Sequence, residues 1–313
     1  MTVRVVVALG GNALLRRGDP PDAEHQRRNV AAAAAALAQI AREHALIVTH
    51  GNGPQVGMLA MQSQASPGMA PAPLDILGAE SEGMIGYILE QELRNHLPGR
   101  ECATLLTQVI VSESDPAFRH PTKPIGPRHT TGDAERLGRK LGWHFVDVGG
   151  ARRRVVASPR PLELVERNTI ALLVEAGVVV VCAGGGGIPV VVDEGSVLRG
   201  VEAVVDKDLS AALLASAARA DTLLLLTDAE GVYLNWGTPE AKLVRRAHPD
   251  ALRNIEFDAG SMGPKVEAAT DFAASGAGWA AIGSIEDAAA VLRGEAGTTI
   301  SERTKGMELI PPG

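Results

Sequence analysis

The chain of 313 residues is 45% hydrophobic and carries a formal net charge of −7 at pH 7. That length can bury one large core or two modest ones, and the acidic balance excludes nucleic acid or an anionic membrane surface as the main partner, since both ask for a basic face. No apolar run nears membrane-spanning length and the N-terminus has no adequate h-region, so a cytoplasmic protein is expected, with Cys102 and Cys182 as buried, reduced thiols.

Val3 to Leu9 is mostly β-branched and lacks alternation, which predicts a strand buried on both faces. Gly10-Gly11-Asn12 follows at its carboxyl end, where glycine lets backbone approach a ligand and Asn12 adds a neutral donor and acceptor. A helix over 22–44 and an apolar strand over 45–49 complete a βαβ unit. The next turn, His50-Gly51-Asn52-Gly53-Pro54-Gln55-Val56-Gly57, nearly matches a dinucleotide fingerprint. Its third glycine comes one residue late and no acidic residue closes a following strand, so a nicotinamide site is rejected. His50 reads as a turn residue rather than a catalytic base.

A long helix is expected over 74–95, with Met84, Ile85, Ile88, Leu89 and Leu93 in the core, and then one strand over 102–111. Residues 112–161 differ in composition: six prolines, charge throughout, Arg152-Arg153-Arg154 and a single short helix near 133–141. Loops of that length in compact domains are uncommon unless they act as lids, so an inserted lid subdomain is expected there. A helix over 162–176 and a buried strand over 178–182 lead into Gly184-Gly185-Gly186-Gly187. Four glycines in a row are costly in chain entropy, and backbone N–H groups cradling a phosphate would account for them.

Asp206-Lys207-Asp208 opens a helix: Asp206 suits the N-cap, Lys207 lies beside converging N–H groups, and Asp208 can orient a cation. A strand over 221–227 ends at Asp228, and the glycine-containing turn 257–265 enters a helix over 266–275, so Lys265 resembles Lys207 in position. A buried strand over 279–283 and an edge strand over 298–300 finish the chain. Repeated strand, glycine turn and helix indicate an open α/β sheet, mainly parallel, with helices on both faces. Ligands in such sheets bind beyond the carboxyl ends of the strands, where these glycine turns and the two lysines converge. Only six of the thirty Lys and Arg residues are lysines, so a lysine kept there points to a need for a compact ammonium. No glycine directly precedes a lysine, which excludes a Walker A loop, and the eight histidines offer no i, i+4 ligand pair for zinc.

With these residues in place, the chain resembles the carbamate kinases of the amino acid kinase superfamily nearly end to end. The resemblance is carried by 8–13, 49–57, Asp115-Pro116-Ala117-Phe118 with Pro121-Thr122-Lys123-Pro124-Ile125-Gly126, the 182–189 glycine run, Gly200 to Asp208, Leu226-Thr227-Asp228 and Gly260 to Ala269. It implies a three-layer αβα fold over residues 1–313, with an acceptor-binding half to about residue 200, a nucleotide-binding half beyond it, and 112–161 as the inserted lid. It implies reversible phosphoryl transfer between ATP and carbamate, giving ADP and carbamoyl phosphate, with Mg²⁺ on the nucleotide and a homodimer. ATP formation from carbamoyl phosphate is the expected use. By the resemblance, Gly10, Gly11, Asn12, Gly51, Asn52 and Gly53, with Gly185 and Gly186, hold the carbamoyl phosphate end, while Asp228, Tyr233, Met262 and Gly263 surround the nucleotide. Lys207 and Lys265 neutralise the transferring group and contact the nucleotide, Asp208 holds both lysines, and no side-chain cluster is assigned to a metal.

The chain departs from the pattern at Glu80-Ser81-Glu82, where Met-Ser-Gln is expected, and at His129-Thr130-Thr131-Gly132, where a tyrosine and an acidic helix start are usual. The first adds charge near the acceptor half and leaves room for another small carboxylate or phosphonate as acceptor. The second bears on the packing of the insertion. A nucleotide-binding sensor that has kept the fold is a further alternative, weakened by the intact Lys207, Asp208 and Lys265. Related kinases carry a lysine just before the first glycine pair, where this chain has Ala8-Leu9; Lys123, on a proline-bracketed loop of the lid, is the expected replacement.

Overall fold

The computed structural model describes residues 3–14, 22–65, 70–258 and 260–310, without the side chains of Asn12 and Ala13. β1 (Arg4–Leu9) lacks alternation because both its faces are dry: Val6 and Ala8 enter one core, and Val5, Val7 and Leu9 enter another. After the single turn α1 (Gly11–Leu14), α2 (Ala23–Glu43) starts at Asp22, whose carboxylate accepts the His25 N–H at 2.8 Å. β2 (Ala45–His50) runs parallel to β1, and α3 (Gly53–Ala65) and α4 (Leu74–His96) follow. Ile85, Ile88, Leu89 and Leu93 of α4 are buried as expected, but Met84 is 38% exposed. One residue before Ile85, it lies about 100° round the helix from the buried stripe.

The single strand expected over 102–111 is two. β3 (Cys102–Thr104) joins the main sheet, whereas β4 (Gln108–Val111) belongs to a second one. The chain leaves the first sheet where Glu82 takes the Thr107 N–H and Glu166 takes the Gln108 N–H, groups a continuous ladder would have used. Within the insertion, β5 (Lys123–His129), α5 (Thr131–Leu141), β6 (His144–Val148) and β7 (Ala151–Val156) make a helix and an antiparallel sheet in the order β5-β7-β6. The helix was legible; the strands were masked by prolines, which β5 tolerates because it is an edge strand. Lys123 therefore begins a strand instead of riding on a loop. The departure at His129 is absorbed locally: its ring meets Phe145 edge-on at 5.4 Å, and Thr130 caps α5.

Residues expected to open a helix at 162 instead form β8 (Pro161–Leu164), which pairs with β4, and α6 is confined to Arg167–Glu175. Tertiary pairing overrides helix propensity there. β9 (Val179–Val181) leads through a tight turn at Gly184–Gly186 to β10 (Ile188–Val192) and β11 (Leu198–Gly200), completing the second sheet in the order β11-β10-β4-β8. The C-terminal half comprises α7 (Lys207–Ala217), β12 (Thr222–Thr227), β13 (Val232–Leu234), β14 (Lys242–Ala247), α8 (Pro249–Arg253), α9 (Met262–Ala274), β15 (Trp279–Ser284), α10 (Ala288–Leu292), β16 (Thr298–Ile300) and β17 (Met307–Ile310).

The main sheet runs β13-β14-β16-β15-β12-β1-β2-β9-β3, with β17 on β14. β16 is thus internal, not an edge strand. Helices α2, α4 and α10 cover one face, and α6, α7, α8 and α9 the other, which makes a three-layer αβα sandwich. Among the described residues no helix is long and apolar enough to cross a membrane.

Candidate active site

Strand register gathers the glycine turns. Leu9 pairs with His50 on one side and Leu226 on the other, so Gly10, Gly51 and Thr227 emerge side by side at the carboxyl edge. The Gly10 N–H donates to Leu226 O at 2.8 Å and the Gly51 N–H to Leu9 O at 3.0 Å, which locks the two turns to the sheet. The fourth turn arrives next to them because Val181 pairs with Val48. Gly185 and Gly186 have φ of +68° and +96°, and a Cβ on Gly185 would stand 2.1 Å from Asn52 Nδ2. No larger residue fits between this cradle and Asn52. Asn52 is itself held, its amide donating to Ser81 Oγ at 2.8 Å, and the Ser210 hydroxyl donates to Gly186 O at 2.8 Å. Gly11 and Gly53 border the same edge, with a Cβ on Gly11 reaching no nearer than 4.0 Å from Pro54. The Asn12 side chain lies outside the described residues.

Beside the cradle, α7 begins at Asp206, whose carboxylate accepts the N–H groups of Asp208 at 2.9 Å and Leu209 at 3.4 Å. Asp208 is 4% exposed and divides its oxygens between two ammonium groups, Lys207 at 2.5 Å and Lys265 at 3.1 Å. Without it, two buried like charges would face each other across the site. Burial pushes the Lys207 ammonium below its usual range and Lys265 adds to this, while Asp208 acts in the opposite sense. Lys265 does not stand at a helix start as Lys207 does. It is the fourth residue of α9, and it reaches the site because its stem lies along that helix, with the ammonium donating also to Ser261 O at 3.3 Å.

Lys123 comes from the insertion and meets Asp206 at 2.7 Å, each side chain about a quarter exposed. Burial works to raise the Asp206 carboxyl, but Lys123 and then Lys207 outweigh it and hold it down at about 2. Three lysines and two aspartates from α7, α9 and β5 therefore form one cluster at the cradle. The insertion seats against α3 through two glycines: a Cβ on Gly57 would fall 1.9 Å from the Gly126 backbone.

The residues expected round the nucleotide are less concentrated. Asp228 is exposed at the end of β12, with Thr227 Oγ1 donating to it at 3.0 Å. Met262 and Gly263 open α9, one turn before Lys265. Tyr233 donates its hydroxyl to Glu230 at 2.7 Å and sets its ring 5.0 Å from that of Trp236, an exposed residue that sequence reasoning passed over. Also missed were Ser210 and Thr107, whose hydroxyls fix the cradle, and the buried pair Ser81 and Glu82 as its supports. Polar residues at buried positions of an apolar helix were the available signal.

His50, read as a turn residue, is the fully buried last residue of β2. Burial takes its imidazole down to about 4, so it is neutral at physiological pH, with Nδ1 on Gly51 O at 3.1 Å. Among the described residues no His, Cys, Asp and Glu cluster is arranged to hold a metal, and the Asp206 and Asp208 carboxylates are already committed to lysines.

Glycine turns at the strand ends of an αβα sheet, beside preorganised ammonium groups, define a phosphotransferase of small molecules. The sequence profile of the amino acid kinase family matches residues 3–282, and the chain belongs to that family. Within it, the chain falls among the carbamate kinases. It is 54% identical to the carbamate kinase of Rhizobium meliloti (strain 1021) over 96% of this chain and 93% of that one, and 49% identical to that of Haemophilus influenzae over 97% and 99%. The solved structure of carbamate kinase from Giardia lamblia bound to AMP-PNP superposes with a TM-score of 0.87, at 39% identity over 96% of this chain and 98% of that chain.

Proposed function

We propose that the protein transfers a phosphoryl group between carbamoyl phosphate and ADP, forming carbamate and ATP, with the nucleotide entering as its Mg²⁺ complex. The observation that carries this reading is the buried Asp208 with Lys207 and Lys265 on its two oxygens, directly beside the glycine cradle. Phosphoryl transfer needs no covalent enzyme intermediate. It needs in-line placement of donor and acceptor and fixed positive charge where the equatorial oxygens spread their charge. The turns at Gly10-Gly11 and Gly51-Asn52-Gly53, with Gly185 and Gly186, present backbone donors to carbamoyl phosphate. Lys207 and Lys265 flank the group in flight, and Asp228, Tyr233, Met262 and Gly263 frame ADP. Lys123 covers the acceptor side, and its contact with Asp206 brings it to the cluster. With every carboxylate of the cluster paired to a lysine, Mg²⁺ comes as part of the nucleotide substrate and leaves with it.

Residues 112–161 act as the lid in this reading, the acceptor half ends near residue 200, and the enzyme works in the cytoplasm. A homodimer is supported by Ile76 and Tyr87, which stand 49% and 55% exposed on the outer side of α4. Sedimentation or light scattering on the purified chain tests that point. The activity itself is tested by coupled detection of ATP from MgADP and carbamoyl phosphate. ATP formed well above the spontaneous decay of carbamoyl phosphate is expected. No ATP above the no-enzyme control, from folded protein, removes the proposal and leaves the sensor alternative; activity with only another carboxylate or phosphonate acceptor replaces the substrate.

A further inference from the structure

α4 passes beneath the cradle with Ser81 and Glu82 in its buried face. Ser81 holds Asn52, as described. Glu82 is 1% exposed, and its two oxygens accept the Gly184 N–H at 2.8 Å and the Thr107 N–H at 3.2 Å. Thr107 ties the same loop at two further points: its hydroxyl accepts the Ala183 N–H at 2.9 Å and its carbonyl the Ile188 N–H at 2.8 Å. The entry to the glycine cradle thus hangs on one carboxyl group. Contact is close, since a Cβ on Gly184 would lie 3.0 Å from Glu82 Cγ and 2.3 Å from His50 Nε2.

No cation among the described residues lies within ion-pairing distance of this carboxyl group. The titratable groups around the corner do not supply one. His50 at the end of β2 is held neutral by burial, and its Nε2 is buried without a partner. Cys182, after β9, is a buried thiol pushed well above its usual range by burial, with Glu82 and Glu166 adding to it. Glu166, ahead of α6, is a second acid, and the Lys207 ammonium of α7 is committed to Asp208. Burial raises the Glu82 carboxyl to about 8 against the pull of its two N–H bonds, with Glu166 raising it further. A buried acid with this many anionic or neutral neighbours keeps its proton near neutrality, and the lone pairs on both oxygens remain available to the two N–H groups.

We propose that Glu82 is a positioning residue whose protonation state sets the affinity for the acceptor: neutral, it still accepts the Gly184 and Thr107 N–H groups through the lone pairs of its two oxygens, whereas ionised it places a negative charge under the anion the cradle receives. The inference rests on the proposed carbamoyl phosphate reading of the cradle. It also gives the departure from the family pattern at this position a consequence, since a glutamine there cannot ionise. Binding of an anionic substrate should draw a proton onto Glu82, by the same linkage that couples any two sites whose charges interact.

The test is steady-state kinetics from pH 6.5 to 9.5 on wild type and Glu82→Gln. For wild type, KM for carbamoyl phosphate is expected to rise about tenfold between pH 7 and 9.5, equivalent to about 1.4 kcal/mol of coupling, with kcat within about twofold. For Glu82→Gln, KM should not vary with pH, at a level set by an amide whose single acceptor oxygen serves only one of the Gly184 and Thr107 N–H groups. A second measurement needs no variant: calorimetric titration of wild type at pH 8.5 with a non-transferable phosphonate analogue of carbamoyl phosphate, in two buffers of different ionisation heat, should show net proton uptake. Flat KM in wild type, the same rise in Glu82→Gln, or no proton uptake overturns the inference. These outcomes stand apart from failure of the proposed activity, which would appear as no ATP formation at any pH.

Discussion

The two lysine arrangements at the site are built on different principles. Lys207 and Lys265 share the buried carboxylate of Asp208, come from helices packed into the main core, and have side chains only 11% and 10% exposed. Lys123 is delivered by a separate three-stranded sheet and pairs with Asp206, where both partners are about a quarter exposed. A charge fixed by the core is preorganised and costs nothing to place at the moment of reaction. A charge fixed by an inserted sheet can leave with that sheet, so it can admit substrate and then complete the site. The contrast separates catalysis that is always present from catalysis that depends on closure.

The sharpest way to break the comparison is to remove the fixed charges. Lys207→Ala and Lys265→Ala are each expected to lower turnover by roughly two to four powers of ten, the cost of deleting one preorganised charge from a developing anion. Arginine should rescue either position poorly, because a planar guanidinium cannot take the place of a compact ammonium without displacing phosphoryl oxygens. Full activity in either arginine variant, measured in the ATP-forming assay, would show that net charge alone is required.

Removing the delivered charge should do less and act selectively. Lys123→Ala is expected to reduce turnover by about two powers of ten and weaken carbamoyl phosphate, while ADP affinity by calorimetry stays within about threefold. Gly57→Ala probes the same closure without touching any charge, since its Cβ would meet Gly126 backbone instead of a side chain that could turn aside. A rise of about tenfold in KM for carbamoyl phosphate is expected, again with ADP affinity unchanged. If either variant lost ADP binding alone, the insertion would belong to the nucleotide side and the comparison would fail.

How much of this was legible in the sequence follows the same division. β1, β2 and β12 could be read because strands buried on both faces have no alternation to confuse, and the glycine turns follow them directly. Lys207 and Lys265 stood out in a chain whose default cation is arginine, and Asp206 read correctly as a cap. What could not be read depends on distant approach. The break between β3 and β4 is made by Glu82 and Glu166 taking backbone N–H groups from other parts of the chain, and β8 by its pairing with β4. The glycines at 260 and 263 make residues 257–265 look like one turn that delivers Lys265 to a helix start, whereas α9 begins at Met262. The partnership of Lys123 with Asp206, 83 residues apart, has no local signature at all.

The smallest expected effect concerns stability, and it isolates the contact between the two arrangements. Asp206 has a carboxyl held at about 2 in the fold against an ordinary value of 3.8, chiefly because Lys123 outweighs the penalty of burial. A depressed acid contributes stability that is fully present above its unfolded value and is lost as pH falls towards its folded one, so the window lies between about pH 4 and pH 2. Nearly two pH units of difference correspond to about 2 kcal/mol. Asp206→Asn keeps an oxygen for the Asp208 and Leu209 N–H groups, so α7 should remain capped, but it cannot pair with a charged Lys123. Denaturant melts from pH 6 to pH 2 should therefore show wild type losing about 2 kcal/mol more than Asp206→Asn across the lower part of that range. The difference should shrink in Lys123→Ala, where the carboxylate has lost the partner that holds it down. Parallel acid profiles for wild type and Asp206→Asn would mean that the insertion is not held to α7 by this pair, and that Lys123 meets the cluster only when substrate brings it there.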